Sequence, residues 1–331
     1  MSSNSMVKKN LVVLTFLIAI STIVNSQQLK NITFVPHWLP HSQFAGYYIA
    51  RDLGIYKKHG LDVTIITGGP KVSSATMLEK GQSDFACLWL SNAIQLKAHD
   101  VDVVNVAQLI NRSALMLVSK KSSGIKTPED MEGKKVGLWG GDFQLQPMAF
   151  FNKYNVSVIT VMQGNSLNLF YFDGIDVTSA MWYNEYHAIV NAGYNPDELN
   201  TFFFADYGLN FPEDGIYCSG EFYRNNPDVC RKFIAATLEG WKYAFEHPEE
   251  TVEIMIKHLK EAGQAANKAH QRWMLARMKD LMFPSKNMDN FEKLTEENYL
   301  FVGQKLKETW LIENIPSFES LYKPIILRKA K

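Results

Sequence analysis

PHWLPHSQFAGYYIARDLGIYKKHGLDVTIITGGP, Pro36 to Pro70, decides how this chain is read. Ile32 to Val35 just before it is a short run of β type. Inside it, Phe44, Tyr47, Tyr48 and Ala50 to Leu53 recur on helical spacing, which predicts a helix over Gln43 to Tyr56. Leu61 to Ile66 follows a Gly60 turn and alternates apolar with polar residues, the mark of a half-buried strand. Strand, helix and strand in this order predict parallel pairing with the helix packed on the sheet.

The alternation continues outward. Val72 to Lys80 reads as a helix closed by Gly81, Asp84 to Cys87 as a strand, Ser91 to Ala98 as a helix and Val101 to Ala107 as a strand. Leu115 to Val118 is a further strand, and the polar stretch Lys120 to Gly133, with Pro128, is expected to lead into a second lobe. There the strands are Lys135 to Trp139, Val156 to Met162, Val177 to Met181 and Thr201 to Phe204. The helices between them are Phe143 to Tyr154, Leu167 to Phe172 and Tyr183 to Ala192. From Ile216 the chain reads as almost wholly helical, with Val229, Phe233, Ala236, Gly240 and Ala244 spaced along one helix that Pro248 stops. The expected architecture is α/β in two lobes, with two chain crossovers and a ligand cleft between them. Residues 27–118 and 215–331 form lobe 1, and 119–214 form lobe 2.

Composition narrows the function. The 331 residues carry 34 Lys+Arg and 34 Asp+Glu, so no global charge favours nucleic acid or anionic lipid. Lys8 and Lys9 precede an apolar run from Leu11 to Val24, which Thr15, Ser21 and Thr22 interrupt. That is the layout of a signal peptide over residues 1–26, and the run is shorter than the roughly 20 apolar residues that span a bilayer. Val24 and Ser26 precede the expected cut, which leaves Gln27 as the new terminus. No cysteine follows for lipid attachment, so a free, monomeric periplasmic protein is expected. Cys87, Cys218 and Cys230 show no CxxC spacing, and the eight histidines no HExxH, so neither metal nor cofactor is expected. Cys218 and Cys230 are read as buried thiols, with a disulfide between them as the alternative.

Pro36 to Pro70 resembles the start of solute-binding proteins related to the fungal thiamine-pyrimidine synthase. GQSDFA from Gly81, KTPEDMEGKKVGLWGG from Lys126, SAMWYNEYHAIVNAG from Ser179, FPEDGIYCS from Phe211 and NPDVCRKFIAATLEGWKYAFEHPEE from Asn226 extend the resemblance in order. It implies the type II periplasmic-binding-protein fold and a receptor for a formylaminopyrimidine thiamine precursor or for riboflavin. The synthases of that family use a lysine, a histidine four residues on and a cysteine cluster. The matching positions here are Leu88, Asn92 and Gly208 to Pro212, which supply none of these groups. GxSxG, GxxxxGK[ST] and GxGxxG are also absent, so no catalytic residue is expected.

A flat heteroaromatic needs stacking faces and a few orienting polar groups. Trp38 follows the first strand, and Gln43 and Tyr47 open the next helix. Trp89 lies just past the third strand beside Ser91 and Asn92, and Asn111 follows the fourth. In the second lobe Gly140, Gly141 and Asp142 let backbone approach a ligand. Trp182, Tyr183 and Glu185 form an aromatic and acidic patch at a strand end, and Glu213 and Asp214 lie at the return crossing. Glu185 is expected to accept from an aminopyrimidine edge. Together with the resemblance, these residues imply the substrate-binding subunit of an ABC importer, working with an inner-membrane permease and taking a thiamine pyrimidine precursor. Riboflavin is the alternative cargo, and a pyrimidine-forming enzyme or a sensory module the other classes.

Overall fold

The computed structural model describes residues 28–285 and 293–325, so the expected signal peptide, 1–26, lies outside the described residues. The first half of the chain runs β1 (Lys30–Val35), a 3-10 turn at Ser42–Phe44, α1 (Ala45–Asp52), α2 (Ile55–Lys58), β2 (Leu61–Ile65), α3 (Ser74–Glu79), β3 (Phe85–Trp89), α4 (Leu90–Ala98) and β4 (Val103–Gln108). The middle is β5 (Leu115–Lys120), β6 (Lys135–Leu138), α5 (Leu145–Tyr154), β7 (Ile159–Met162), α6 (Asn168–Tyr171), β8 (Val177–Met181), α7 (Glu185–Asn191) and β9 (Leu199–Phe203). The return is β10 (Asp214–Ser219) and the helices α8 (Gly220–Asn225), α9 (Pro227–Glu246), α10 (Pro248–Glu261), α11 (Lys268–Met282), α12 (Glu296–Glu308) and α13 (Phe318–Leu321). The helix expected over Gln43 to Tyr56 is thus a 3-10 turn and two helices, parted at Gly54.

Two five-stranded sheets result, β2-β1-β3-β10-β4 and β7-β6-β8-β5-β9. Two findings correct the sequence reading. Ile216 opens no helical region but sits in β10, which is antiparallel to β3 and β4 between them. Its segment DGIYCS is buried on both faces: Ile216 and Cys218 join the core with Phe233 of α9, and Tyr217 joins the core with Tyr299 of α12. A strand covered on both sides loses the polar alternation that identifies strands, and so short a run is not distinguishable from helix by pattern. Second, β5 pairs antiparallel with β8 and β9, so it belongs to the second sheet. The outgoing crossing is therefore at Leu109–Ala114, ahead of β5, not in the polar stretch after it.

Lobe 1 is held by an unusually close helix contact. The amphipathic α9 buries Phe233, Ala236, Gly240, Trp241 and Ala244. A Cβ on Gly240 would lie 2.2 Å from the Gly46 carbonyl of α1, and one on Gly46 2.2 Å from the Trp241 ring. Only glycine at both positions lets the two helices meet backbone to backbone. Cys87, Cys218 and Cys230 are free and buried, with the Cys218 and Cys230 thiols hydrogen-bonded to each other. Among the described residues no helix is long and apolar enough to cross a membrane.

Candidate functional site

The two crossings run side by side as a strap. Leu109 and Ile110 donate backbone N–H groups to the Asp214 carbonyl at 3.0 and 3.1 Å, and Glu213 N–H donates to Ile110 at 3.0 Å. The Glu213 side chain pins the outgoing strand: its Oε1 accepts from Ala114 N at 2.6 Å and from Ser113 Oγ at 3.0 Å. Oε2 is buried without a partner. Burial, followed by the neighbouring Asp214 charge, pushes this carboxyl up to about 8, so at neutral pH it is mostly uncharged.

Between the lobes, at the carboxyl ends of β1, β3, β6 and β8, is a cavity of about 220 Å³. Lobe 1 contributes His37, Trp38, Gln43 and Trp89, and lobe 2 contributes Trp139, Gly140, Phe143, Gln163, Asn165, Met181 and Tyr183 to Glu185. The Trp38 loop is set by Gly68, where a Cβ would fall 2.1 Å from the Pro36 carbonyl. An aromatic arch crosses the cleft: Trp89 meets Phe143 edge-on at 4.6 Å, and Phe143 meets Trp139 at 5.6 Å. Gln163 fixes the far wall, accepting from Thr178 Oγ1 at 2.8 Å and donating to the Ser179 carbonyl at 2.9 Å.

Glu185 is the one carboxyl among the described residues that line this cavity, and none of them is a lysine or arginine. Glu185 Oε2 accepts from Met181 N at 3.0 Å and Oε1 from Asn184 Nδ2 at 2.7 Å. Burial pushes its carboxyl up to about 7, with these donors partly offsetting the shift. The Tyr183 phenol is raised well above its ordinary range, first by burial and then by Glu213, Asp214 and Glu185. His37 Nε2 is 2.9 Å from Asp214 Oδ1, and Asp214 begins β10 directly opposite Trp89. With the buried Cys87 these form a group whose donor atoms lie within 4.8 Å of one another. Burial, and then the Asp214 charge, holds the Cys87 thiol protonated, so the trio is accounted for by hydrogen bonds through Asp214.

Trp38, Gln43, Trp89, Gly140, Tyr183 and Glu185 thus line the cavity, and the other residues singled out in the sequence lie elsewhere. Tyr47 is in the lobe 1 core, stacked on Phe34 at 4.3 Å. Asn111 and Glu213 are in the strap, where the Asn111 carbonyl accepts from Asn210 Nδ2 at 2.8 Å. Asp214 reaches the cavity only through His37. Gly141 is exposed on the turn before α5, and the Asp142 side chain is outside the described residues. Trp182 faces α11, which clasps both lobes. Its carbonyl accepts from Trp273 Nε1 at 3.2 Å, and the Arg277 guanidinium lies 4.9 and 4.6 Å from the Trp182 and Trp273 rings. The same helix gives Gln271 to Ser42 N at 2.7 Å and His270 to Asn184 at 2.8 Å. His270 Nδ1 is also 3.0 Å from His187 Nδ1, and the His187 ring stacks on Trp273 at 4.7 Å.

Leu88 and Asn92 are the positions that the resemblance aligns with the lysine and histidine of the synthases. Leu88 is buried in the core, and Asn92 lines a shallow hollow beside Ser73 to Ala75.

Known proteins agree with this architecture. The formylaminopyrimidine-binding protein of Halalkalibacterium halodurans is 22% identical over 250 residues, covering 73% of this chain and 75% of its own. The riboflavin-binding protein RibY of Chloroflexus aurantiacus is 23% identical, covering 75% and 71%. A 4-amino-5-hydroxymethyl-2-methylpyrimidine phosphate synthase of Legionella pneumophila is 22% identical, covering 69% and 73%, so the relatives include both binding proteins and an enzyme. The crystal structure of the periplasmic aliphatic sulphonate binding protein SsuA of Escherichia coli superposes with a TM-score of 0.70 at 14% identity, covering 91% of this chain and 95% of that one. It shows the two-lobed binding-protein fold. The profile described as NMT1/THI5 like matches residues 41–251, well over half of the sequence, and the chain belongs to that family.

Proposed function

We propose that this protein is the substrate-binding subunit of an ABC importer, exported after loss of residues 1–26, and that it closes its lobes around a small planar heteroaromatic without altering it. The supporting observation is the cavity itself: tryptophan faces from both lobes surround a space with one desolvated carboxyl, Glu185, at its edge. A ring held between Trp38 and the Trp89–Phe143 arch can present an amino group and a protonated ring nitrogen to Glu185, which accepts two hydrogen bonds. A thiamine pyrimidine precursor has that edge and is the leading cargo. The binding proteins among the relatives support a receptor role, as does the absence of a lysine, histidine or cysteine at Leu88, Asn92 and Gly208 to Pro212. Lobe closure then reports occupancy to a membrane permease. Riboflavin is the second reading, favoured by a larger chamber that opens beyond Glu185.

Calorimetry and intrinsic tryptophan fluorescence against aminopyrimidines, thiamine and riboflavin test this. A saturable response with the ligand recovered intact is expected. No response to any of them removes the proposed cargo class, and recovery of a chemically changed ligand removes the receptor role.

A further inference from the structure

The histidines show no paired spacing along the chain, yet the fold creates a pair. His187 of α7 and His270 of α11, 83 positions apart, bring their Nδ1 atoms to 3.0 Å. Three neighbours hold the two rings. Trp273 stacks on His187 at 4.7 Å with the planes 9° apart, which fixes that ring. Asn184 Nδ2 donates to Glu185 Oε1 at 2.7 Å, so the other end of that amide is its oxygen, and His270 Nε2 stands 2.8 Å from it. Asn191 Nδ2 is 3.2 Å from His187 Nδ1.

These contacts decide where the ring protons sit. A carboxamide oxygen only accepts, so neutral His270 carries its proton on Nε2 and its Nδ1 is bare. A carboxamide NH₂ only donates, so the Asn191 contact leaves His187 Nδ1 bare as well. Two lone pairs then face each other across 3.0 Å with no proton between them. A cation placed there turns that repulsion into two bonds. Imidazole nitrogens bind divalent transition ions at about 2.0–2.1 Å, and two such bonds at a right angle separate the nitrogens by about 3 Å, whereas tetrahedral bonds separate them by about 3.4 Å. The right-angled arrangement is the one that suits Ni²⁺ and Cu²⁺.

We propose that His187 and His270 form a binding site for a divalent transition ion of the Ni²⁺ or Cu²⁺ kind, set at the contact between α7 and α11. A chamber of about 580 Å³ lined by Asn191 and His270 gives water access to the remaining coordination positions. The chain from Glu185 through Asn184 to His270 is the support such a ligand needs, a carboxyl group acting through an amide to orient the ring and strengthen its free nitrogen. α7 lies in the second lobe, and α11 also holds Ser42 of the first through Gln271. An ion bound here therefore ties the lobes together as a ligand separate from any cargo.

Titration of the metal-stripped protein, free of any histidine tag, with Ni²⁺ tests this, read by calorimetry and thermal melting, with Cu²⁺ electron paramagnetic resonance as a second measurement. Ni²⁺ is expected to bind and, at about a hundredfold excess over its dissociation constant, to raise the melting temperature by about 5 °C. Mg²⁺, which takes oxygen ligands, should leave it unchanged. His187→Gln and His270→Gln should each weaken Ni²⁺ binding by about tenfold or more. The Cu²⁺ spectrum of the wild type should show splitting from two imidazole nitrogens, a readout that stands even where a variant fails to fold. No Ni²⁺ binding overturns the site, as does binding that both variants keep or a Cu²⁺ spectrum with fewer than two histidine nitrogens. None of these outcomes depends on which ring ligand binds, so the metal site and the cargo reading fail separately.

Discussion

Two of the places where the lobes meet hold buried polar groups that respond to protons in opposite senses. At the strap Glu213, and at the cavity edge Glu185, are carboxyls raised to about 8 and about 7, so the folded protein holds protons there that the unfolded chain releases near pH 4.5. Their contribution to stability is full below that value and declines as pH rises from 4.5 toward 7–8. At the clasp His41 and His270 are lowered to about 4, by burial and then by a neighbouring histidine, and burial lowers His187 as well. The unfolded chain takes up those protons near pH 6.5 while the folded one refuses them, so the clasp weakens as pH falls from 6.5 toward 4. The groups facing this cluster are the three histidines themselves, Asn184, Asn191 and the Arg277 guanidinium beyond Trp273. Charge on one histidine deepens the penalty for protonating the next, His270 acting on His41 and His187 on His270. One junction is therefore built for an uncharged acid and the other for uncharged bases, and both conditions hold together only in a middle pH range.

Breaking the strap gives the largest expected effect. Glu213→Ala removes the acceptor for Ala114 N and leaves a hole, and should lower stability by about 2–4 kcal/mol in urea unfolding. Glu213→Gln retains an acceptor oxygen and, because the native carboxyl is largely neutral at pH 7, should cost much less. Equal damage from both would mean that the strap depends on an ionised carboxylate. Next is Glu185→Gln, expected to weaken cargo binding by about tenfold or more while leaving the fold intact, since a charge-assisted hydrogen bond is exchanged for a neutral one. Calorimetry in buffers of different ionisation heat should also show proton exchange on binding by the wild type that this variant lacks.

The clasp is sharpened by melting curves. The wild-type melting temperature should drop between pH 6.5 and 4, and His270→Gln should flatten that drop while preserving stability near neutrality. An unaltered acid limb would assign acid sensitivity to other groups. Arg277→Ala is the smallest change, about 1 kcal/mol, since one guanidinium near two indole rings is lost from a half-buried site.

How much of this could be read in advance depended on whether the signal was local. The strand Val177–Met181 and the alternation from Ile32 to Ala107 are legible because each strand end is marked by a turn or a helix start. β10 was not, because a central strand covered on both faces has no polar alternation. The same contrast holds at the cavity. Trp38, Trp89, Tyr183 and Glu185 follow strand ends, where the fold class places ligands. His37 stands at the same strand end beside Trp38 and was recoverable by that rule. Tyr47 shares a helix face with Gln43, but one turn further along that face already points into the core. Gln163 and Asn165 come from a loop with no periodic pattern. The α11 contacts join residues more than 80 positions apart, such as Asn184 and His270, and no stretch of sequence announces them.

The paired glycines at Gly46 and Gly240 have a mechanical consequence. With their backbones touching, α1 and α9 leave little slack where they cross, and the Ser42–Gln43 edge of the cavity, just ahead of α1, is tied through it to α9, the longest helix among the described residues. Were the lobes to open, a swing about the strap with release of the clasp would let each half keep its shape. A transporter docked on the outside would sense cargo as an angle between two solid bodies.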